Sequence, residues 1–224
     1  MKILYYALHD PNVLDLSSGV DFFLYRAICE YGFDVQPNGP IKNQLMGIEK
    51  LATRFFQRTG KRFVKYHMSV AWKESRAINQ AVKLWKPDVV LTCNMPSLVF
   101  YNSEIPAVFC RDTTFFGQQE FWPVYGRVAH AINLWQEKRA IRNSAYVITN
   151  SIWSKQVIST YYKKNPDKIG VFILASALMP DVVPQKIEVL GWKKIEFPLR
   201  LLLVGRDSIP HEKVWILESG LSIN

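Results

Sequence analysis

The chain has 224 residues, of which 49% are hydrophobic and 21% are charged, a composition typical of a globular protein with a substantial core. Its 28 Lys and Arg residues against 19 Asp and Glu residues give a net charge of +9, which favours an anionic partner such as a phosphorylated sugar, an acidic membrane or nucleic acid. Three scattered cysteines exclude a disulfide framework or zinc site and fit a reducing cytoplasm. The N-terminal apolar run is too short for a signal peptide, and no stretch approaches the ~20 apolar residues of a membrane span.

The chain opens with a short apolar run, residues 3–8, which predicts a buried strand. Apolar residues then recur at three- and four-residue spacing over residues 20–31, which predicts an amphipathic helix that Gly32 can end. A short strand is predicted over residues 33–35. Together these elements predict the strand–helix–strand unit that opens an α/β domain.

A second amphipathic stretch covers residues 41–60, and basic side chains are frequent from Lys42 to Lys65. The same segment contains Phe55, Phe56 and Phe63. Two interpretations remain open: a helix that packs on the sheet with its charged side in water, or a helix that lies on an acidic membrane with its phenylalanines in the interface.

Helices and strands alternate through the rest of the first domain. Helices are predicted over residues 69–85, 125–142 and 151–162, and strands over residues 89–93, 105–110, 146–149 and 168–174. This alternation predicts a doubly wound parallel sheet, that is, a Rossmann-like α/β domain over residues 1–178. The three cysteines are expected to be small buried hydrophobic residues of this domain.

The pattern changes after residue 178. Residues 179–198 contain three prolines and mixed charge without a clear period, which predicts an interdomain linker. The apolar run at residues 199–204 leads into Gly205 and predicts the first strand of another domain. Residues 199–224 are too few for a domain with its own core, so we expect a remnant of that domain.

Three segments, taken in order, resemble glycosyltransferase family 4. They are DTTF at residues 112–115, WQEKRAIRNSAYVITNS at residues 135–151 and LLLVGRD at residues 201–207. The third segment resembles the strand that opens the family's second domain. The resemblance covers the chain to about Asp207 and implies one half of a GT-B fold, in which the acceptor lies mainly on the first domain and a nucleotide-sugar mainly on the second.

The chain departs from the family's pattern at several places, among them Tyr146, where Asp is usual. Ser18 and Gly19 stand where many relatives have two glycines, and Arg111 precedes Asp112 where many relatives have histidine. After Asp207 the family's continuation is lost, as expected for an altered reading frame or an early stop.

Candidate site residues follow from the resemblance together with their place after predicted strands. Acceptor-binding residues are expected to be His9, Ser18, Gly19, Arg111 and Thr113. Gly19 lets the backbone approach a phosphate at a helix N-terminus, or is simply a turn residue. Asp112 is the catalytic candidate, because a carboxylate after a parallel strand can orient a hydroxyl or act as a base. The alternative is an Asx-type turn residue.

Donor-phosphate binding is assigned by family analogy to Arg206 and Lys213, whose charge suits a leaving diphosphate. For Lys213 the alternative is a solvated charge in the tail. The four histidines show no metal-ligand spacing, and the resemblance implies a metal-independent, retaining transferase with no cofactor besides its donor substrate.

The resemblance implies hexosyl transfer from a nucleotide-sugar to a glycan or lipid-linked acceptor, and a lipid-linked acceptor would suit the peripheral contact with an acidic membrane that is one of the two interpretations of residues 42–65. We expect little or no activity from this chain alone, because positioning the donor needs the missing half. Two alternatives remain open: a non-catalytic binding module, or one subunit of an enzyme whose nucleotide-binding half is encoded separately. Nucleic acid is not an expected partner, because the basic residues form no recognised reader motif.

Overall fold

A computed structural model of the chain describes residues 1–7, 9–13, 20–39, 41, 47–58, 67–121 and 125–172. The chain divides into two units, Met1–Ala177 and Leu178–Asn224, and all of the described residues belong to the first. The predicted linker and the predicted start of a second domain lie outside the described residues.

One parallel sheet of six strands, in the order β2-β1-β3-β4-β5-β6, organises the described part of the chain. The strands are β1 (Lys2–Tyr6), β2 (Asp34–Asn38), β3 (Val89–Thr92), β4 (Ala107–Arg111), β5 (Tyr146–Thr149) and β6 (Ile169–Val171). All five pairings between neighbouring strands are parallel. The predicted Rossmann-like α/β fold is therefore confirmed.

Seven helices connect or follow these strands within the described residues. They are α1 (Val20–Glu30), α2 (Gly47–Arg58), α3 (Met68–Trp85), α4 (Met95–Val99), α5 (Phe115–Phe121), α6 (Arg127–Asn143) and α7 (Ile152–Thr160). The predictions for α1, α3, α6 and α7 are confirmed to within two residues at each end. None of the described helices is long and apolar enough to cross a membrane.

Local sequence signals set several helix ends. Gly32 adopts a left-handed conformation with φ of 80° after α1, as its predicted role as a helix stop requires. Lys86 takes the same role after α3, with φ of 52°, and its N–H donates to the carbonyl of Val82. Ser151 caps α7, because its hydroxyl oxygen accepts the N–H of Ser154 at 3.1 Å.

Adjacent tyrosines of β1 show how the two faces of the sheet are covered. The Tyr6 hydroxyl donates to Glu74 of α3, and on this face residues such as Val90 and Phe109 are completely buried. The Tyr5 hydroxyl donates to Asp21 of α1 at 2.9 Å. In β3, β4 and β5 the alternate residues on this second face are only half-buried. The main hydrophobic core therefore lies between the sheet and the helices on the Tyr6 side.

Candidate functional site

Three neighbouring strands end at the same edge of the sheet. Tyr6 of β1 pairs with Thr92 of β3, which pairs with Phe109 of β4. We call the region just beyond Tyr6, Thr92 and Arg111 the strand-end edge. The strand order changes direction between β1 and β3, since β2 lies on one side of β1 and β4 follows β3 on the other. Open α/β sheets bind ligands beyond the carboxyl ends of their strands at such a point.

His9 lies at the strand-end edge and is held by Asp21, a residue that the sequence analysis did not single out. The Asp21 carboxylate is buried, accepts the backbone N–H of His9 at 3.0 Å and lies 3.3 Å from His9 Nδ1. Its other oxygen accepts the Tyr5 hydroxyl, and burial raises the pKa of Tyr5, which keeps that donor protonated. The His9 side chain is 36% exposed. A fixed carboxylate thus orients a partly exposed imidazole.

Asp112 follows β4 and is exposed. Its Oδ1 accepts the N–H of Thr113 at 2.7 Å, which is the local contact that the turn interpretation expects. Its main-chain carbonyl accepts the hydroxyls of Ser154 at 3.0 Å and Thr149 at 3.5 Å. The backbone of Asp112 is therefore fixed by neighbouring elements, while the carboxylate faces solvent. Thr113 lies beside it and is half-buried.

Arg111 points into the protein rather than toward solvent. Its Nε and Nη2 each lie 3.2 Å from Glu137 Oε1, and its guanidinium lies 5.2 Å from the centre of the Phe115 ring. The structure thus gives Arg111 an internal partner. Its expected role in acceptor binding remains a prediction.

Glu137 of α6 is completely buried and joins four segments. Besides its ion pair with Arg111, its Oε2 accepts the N–H of Phe115 at 2.7 Å and the hydroxyl of Tyr162. Burial raises the pKa of Glu137, and the Arg111 guanidinium and the two hydrogen-bond donors oppose this rise. This cluster fixes the chain on both sides of Asp112. Glu137 lies inside the segment that carries the family resemblance, but its role in the packing could not be read from the sequence.

A second buried cluster of hydrogen-bonded polar residues lies at the carboxyl end of β3. The Thr92 hydroxyl donates to the Tyr6 carbonyl at 2.7 Å and accepts the N–H of Asn94 at 2.9 Å. The Asn94 amide donates to Glu74 at 3.4 Å, next to the Tyr6 hydroxyl. These bonds tie α3 to the strand-end edge between His9 and Asp112.

Cys93 directly follows β3, the strand between β1 and β4. The hydrogen bond with the Cys110 thiol and partial burial raise the pKa of Cys93, and the negative charges of Asp21 and Asp112 raise it further. The expectation of three buried cysteines was wrong for Cys29, which is exposed, whereas Cys93 and Cys110 are half-buried.

The structure does not describe the other expected site residues. Ser18, Gly19, Arg206 and Lys213 lie outside the described residues. Within the described ranges, no group of three or more His, Cys, Asp or Glu side chains is placed to hold a metal ion.

Comparison with known proteins identifies similar sequences and folds. The sequence model of Glycosyltransferase Family 4 matches residues 47–172. Among solved structures, the chain is similar to UDP-GlcNAc 2-epimerase from Neisseria meningitidis bound to UDP-GlcNAc, with 15% identity, a TM-score of 0.44, and coverage of 76% of this chain and 45% of that chain.

A second similar structure is Glycyrrhiza uralensis UGT73P12 complexed with glycyrrhetinic acid 3-O-monoglucuronide, with 10% identity and a TM-score of 0.37. Its alignment covers 76% of this chain and 48% of that chain. The present chain thus spans about half the length of the solved structures it matches. No curated protein matches the sequence significantly.

Proposed function

This chain belongs to glycosyltransferase family 4, and from that membership we propose that it forms the acceptor half of a nucleotide-sugar-dependent hexosyltransferase. Its acceptor is a glycan or a lipid-linked glycan. The observation that carries the proposal is the position of His9 and Asp112, which follow strands of one parallel sheet and share its strand-end edge. Their neighbours Asp21 and Glu137 hold them in place.

In the proposed reaction, an acceptor hydroxyl oxygen bonds to the anomeric carbon of the donor sugar, the bond from that carbon to the nucleoside diphosphate breaks, and the hydroxyl proton passes to the Asp112 carboxylate. Asp112 accepts the hydrogen bond of that hydroxyl and orients it, and the exposed part of the His9 ring contacts another hydroxyl of the acceptor. The positive charges of Arg206 and Lys213 stabilise the negative charge of the leaving diphosphate. The nucleotide-sugar is a substrate, and the proposal includes no further cofactor.

Saturation-transfer NMR with N-acetylglucosamine and glucose 6-phosphate tests the acceptor site. We expect weak, saturable binding to the chain, and Asp112→Asn and His9→Ala should each reduce it about tenfold through the loss of a hydrogen bond to the ligand. Asp167→Asn is the matched control, because Asp167 is an exposed carboxylate just before β6, at the opposite edge of the sheet.

Two outcomes would contradict the proposal. The acceptor site would not lie at the strand-end edge if the sugars bound equally well to Asp112→Asn, His9→Ala and the control. Saturable binding of UDP-glucose with turnover by this chain alone would show that it is not merely the acceptor half. Co-purification with a separate nucleotide-binding protein would support the split-enzyme form of the proposal, whereas sugar binding without any such partner would favour a non-catalytic binding module.

We also propose that α2 contacts an acidic membrane. Its polar side faces the protein, because Glu49 accepts the N–H of Ser69 at 3.0 Å and Thr53 lies 3.2 Å from His67. The opposite side is apolar: Leu51 is 70% exposed and the next residue on that face, Phe55, is 63% exposed. Lys50 and Arg54 are exposed beside the apolar residues, an arrangement that suits an anionic lipid surface.

Co-sedimentation with vesicles tests this contact. We expect the chain to bind phosphatidylcholine vesicles that contain phosphatidylglycerol, and Leu51→Ser/Phe55→Ser to reduce that binding about tenfold or more, because burial of these side chains in the interface is lost. Leu84→Ser/Val128→Ser removes two comparably exposed apolar side chains elsewhere and should have no effect. Unchanged binding by the Leu51/Phe55 variant would show that α2 does not touch lipid.

A further inference from the structure

A groove of about 610 Å³ runs along the outer side of α3 and continues to the segment after α4. We call it the α3 groove. Its lining includes Trp72, Arg76, Gln80, Lys83 and Phe100. The volume falls in the range of roughly 300–1,000 Å³ that is typical of small-ligand sites.

The walls of the α3 groove are fixed by hydrogen bonds between α3 and the chain after α4. The Ser75 hydroxyl donates to the carbonyl of Pro96 at 2.9 Å and accepts the N–H of Phe100 at 3.0 Å. The Asn79 amide donates to the carbonyl of Phe100 at 3.1 Å, and its oxygen accepts the N–H of Asn102 at 3.3 Å. Because both sides are joined, the groove is formed without a ligand, and binding requires little reordering.

Large aromatic rings lie in and beside the groove, where Trp72 and Trp135 are exposed and Phe100 is half-buried. Trp72 is 52% exposed, and the Arg76 guanidinium lies 5.4 Å from the centre of its ring. Phe100 lies 6.1 Å from the ring of Trp135, which is 44% exposed on α6. Clustered exposed aromatic residues on a protein surface mark binding sites, and flat rings of this kind pack against the C–H faces of sugars.

The charge of the groove is positive. Arg76 and Lys83 are exposed, lie two helical turns apart and both line it. The one acidic residue of α3, Glu74, is buried and bonded to Tyr6, so it does not neutralise this face. Arginine and lysine bind carboxylate and phosphate groups, and the amide of Gln80 can bind sugar hydroxyls.

The α3 groove is separate from the site at the strand-end edge. After β2 the chain returns along α3 to the start of β3 at Val89, which is the opposite edge of the sheet. Gln80 and Lys83 belong to the half of α3 that approaches that edge. A ligand in the groove therefore lies along the helix layer and not over His9 and Asp112.

We propose that the α3 groove is a binding site for an acidic oligosaccharide, a glycan whose sugar units carry carboxylate or phosphate groups. Its rings pack on Trp72 and Phe100, and its anionic groups pair with Arg76 and Lys83. Nucleic acid is disfavoured as the occupant, since two cations provide far fewer contacts than the roughly 6–10 phosphate contacts of a typical DNA-binding protein.

Isothermal titration of the whole chain with oligogalacturonate, a carboxylate-bearing glycan, tests the proposal. We expect saturable binding that Trp72→Ala and Arg76→Gln/Lys83→Gln each weaken by about tenfold or more, and that weakens with added salt. Neutral maltohexaose should bind at least about tenfold more weakly, because it lacks groups that pair with Arg76 and Lys83. Lys163→Gln/Lys168→Gln is the matched control, since it removes two exposed charges near α7 and should bind oligogalacturonate like the unaltered chain.

Several results would overturn the proposal: no binding of oligogalacturonate, equal binding of maltohexaose, tighter binding of a single-stranded oligonucleotide, or an equal loss in the control variant. The Asp112→Asn variant separates this site from the proposed acceptor site. It should leave the binding of oligogalacturonate unchanged, and a loss there would place the glycan at the strand-end edge instead. If N-acetylglucosamine and glucose 6-phosphate did not bind but oligogalacturonate still bound the α3 groove, only the acceptor site would be refuted.

Discussion

Replacing Glu137 with alanine is expected to lower the free energy of unfolding by about 3–5 kcal/mol, the usual effect of removing one partner of a buried ion pair. The change leaves the Arg111 guanidinium buried without its carboxylate, and it removes the acceptor for the N–H of Phe115 and the hydroxyl of Tyr162. Chemical denaturation monitored by circular dichroism measures the loss.

Control variants separate the ion pair from the other contacts of Glu137. Glu104→Ala, at an exposed position, should change stability by less than about 0.5 kcal/mol. Tyr162→Phe removes one hydrogen bond and should cost about 1 kcal/mol. Glu137→Leu combined with Arg111→Met removes both charges and should recover a large part of the loss. If Glu137→Ala were as stable as Glu104→Ala, the cluster would not hold the chain around Asp112.

Replacing Asp21 with alanine is expected to have two separable effects. Stability should fall by about 1–3 kcal/mol, because the buried Tyr5 hydroxyl loses its acceptor. Binding of N-acetylglucosamine should fall as far as in His9→Ala, because the imidazole is no longer oriented. Denaturation and saturation-transfer NMR measure the two effects on the same samples.

The Tyr5→Phe/Asp21→Ala double variant distinguishes packing from positioning. It removes the hydroxyl together with its acceptor, so stability should be partly restored while sugar binding stays low. If the double variant bound N-acetylglucosamine as well as the unaltered chain does, Asp21 would contribute to stability but not to the orientation of His9. Undiminished binding by Asp21→Ala itself would show that the His9 ring needs no carboxylate partner.

Periodicity predicted the elements that are long enough to show it. Helices α3 and α6 have 18 and 17 residues, and their apolar positions repeat over several turns. Helices α4 and α5 have five and seven residues, too few for a helical period, and neither was predicted. Strand β2 was predicted at residues 33–35 but covers Asp34–Asn38 and includes Pro37, which is tolerated because β2 is the edge strand.

Only the site residues that follow a strand could be predicted from the sequence. Parallel strands end at one edge, so residues that follow them, such as His9 and Asp112, could be expected to gather there. The supporting residues Asp21 and Glu137 could not be predicted, because each contacts partners that lie on other helices, strands or loops. Glu137 lies 26 residues from Arg111 along the chain, and no local pattern distinguishes it from a surface glutamate of α6.

The contacts around Asp112 have a further consequence for ligand binding at the proposed acceptor site. Its carbonyl is held from α7 and β5, and the following residues are held through Glu137, so the backbone beneath the carboxylate has little freedom to lose. Ordering a loop on ligand binding costs free energy that subtracts from affinity. In the backbone around Asp112 that cost has already been met during folding, so a hydroxyl bound at the proposed acceptor site would encounter a preorganised acceptor.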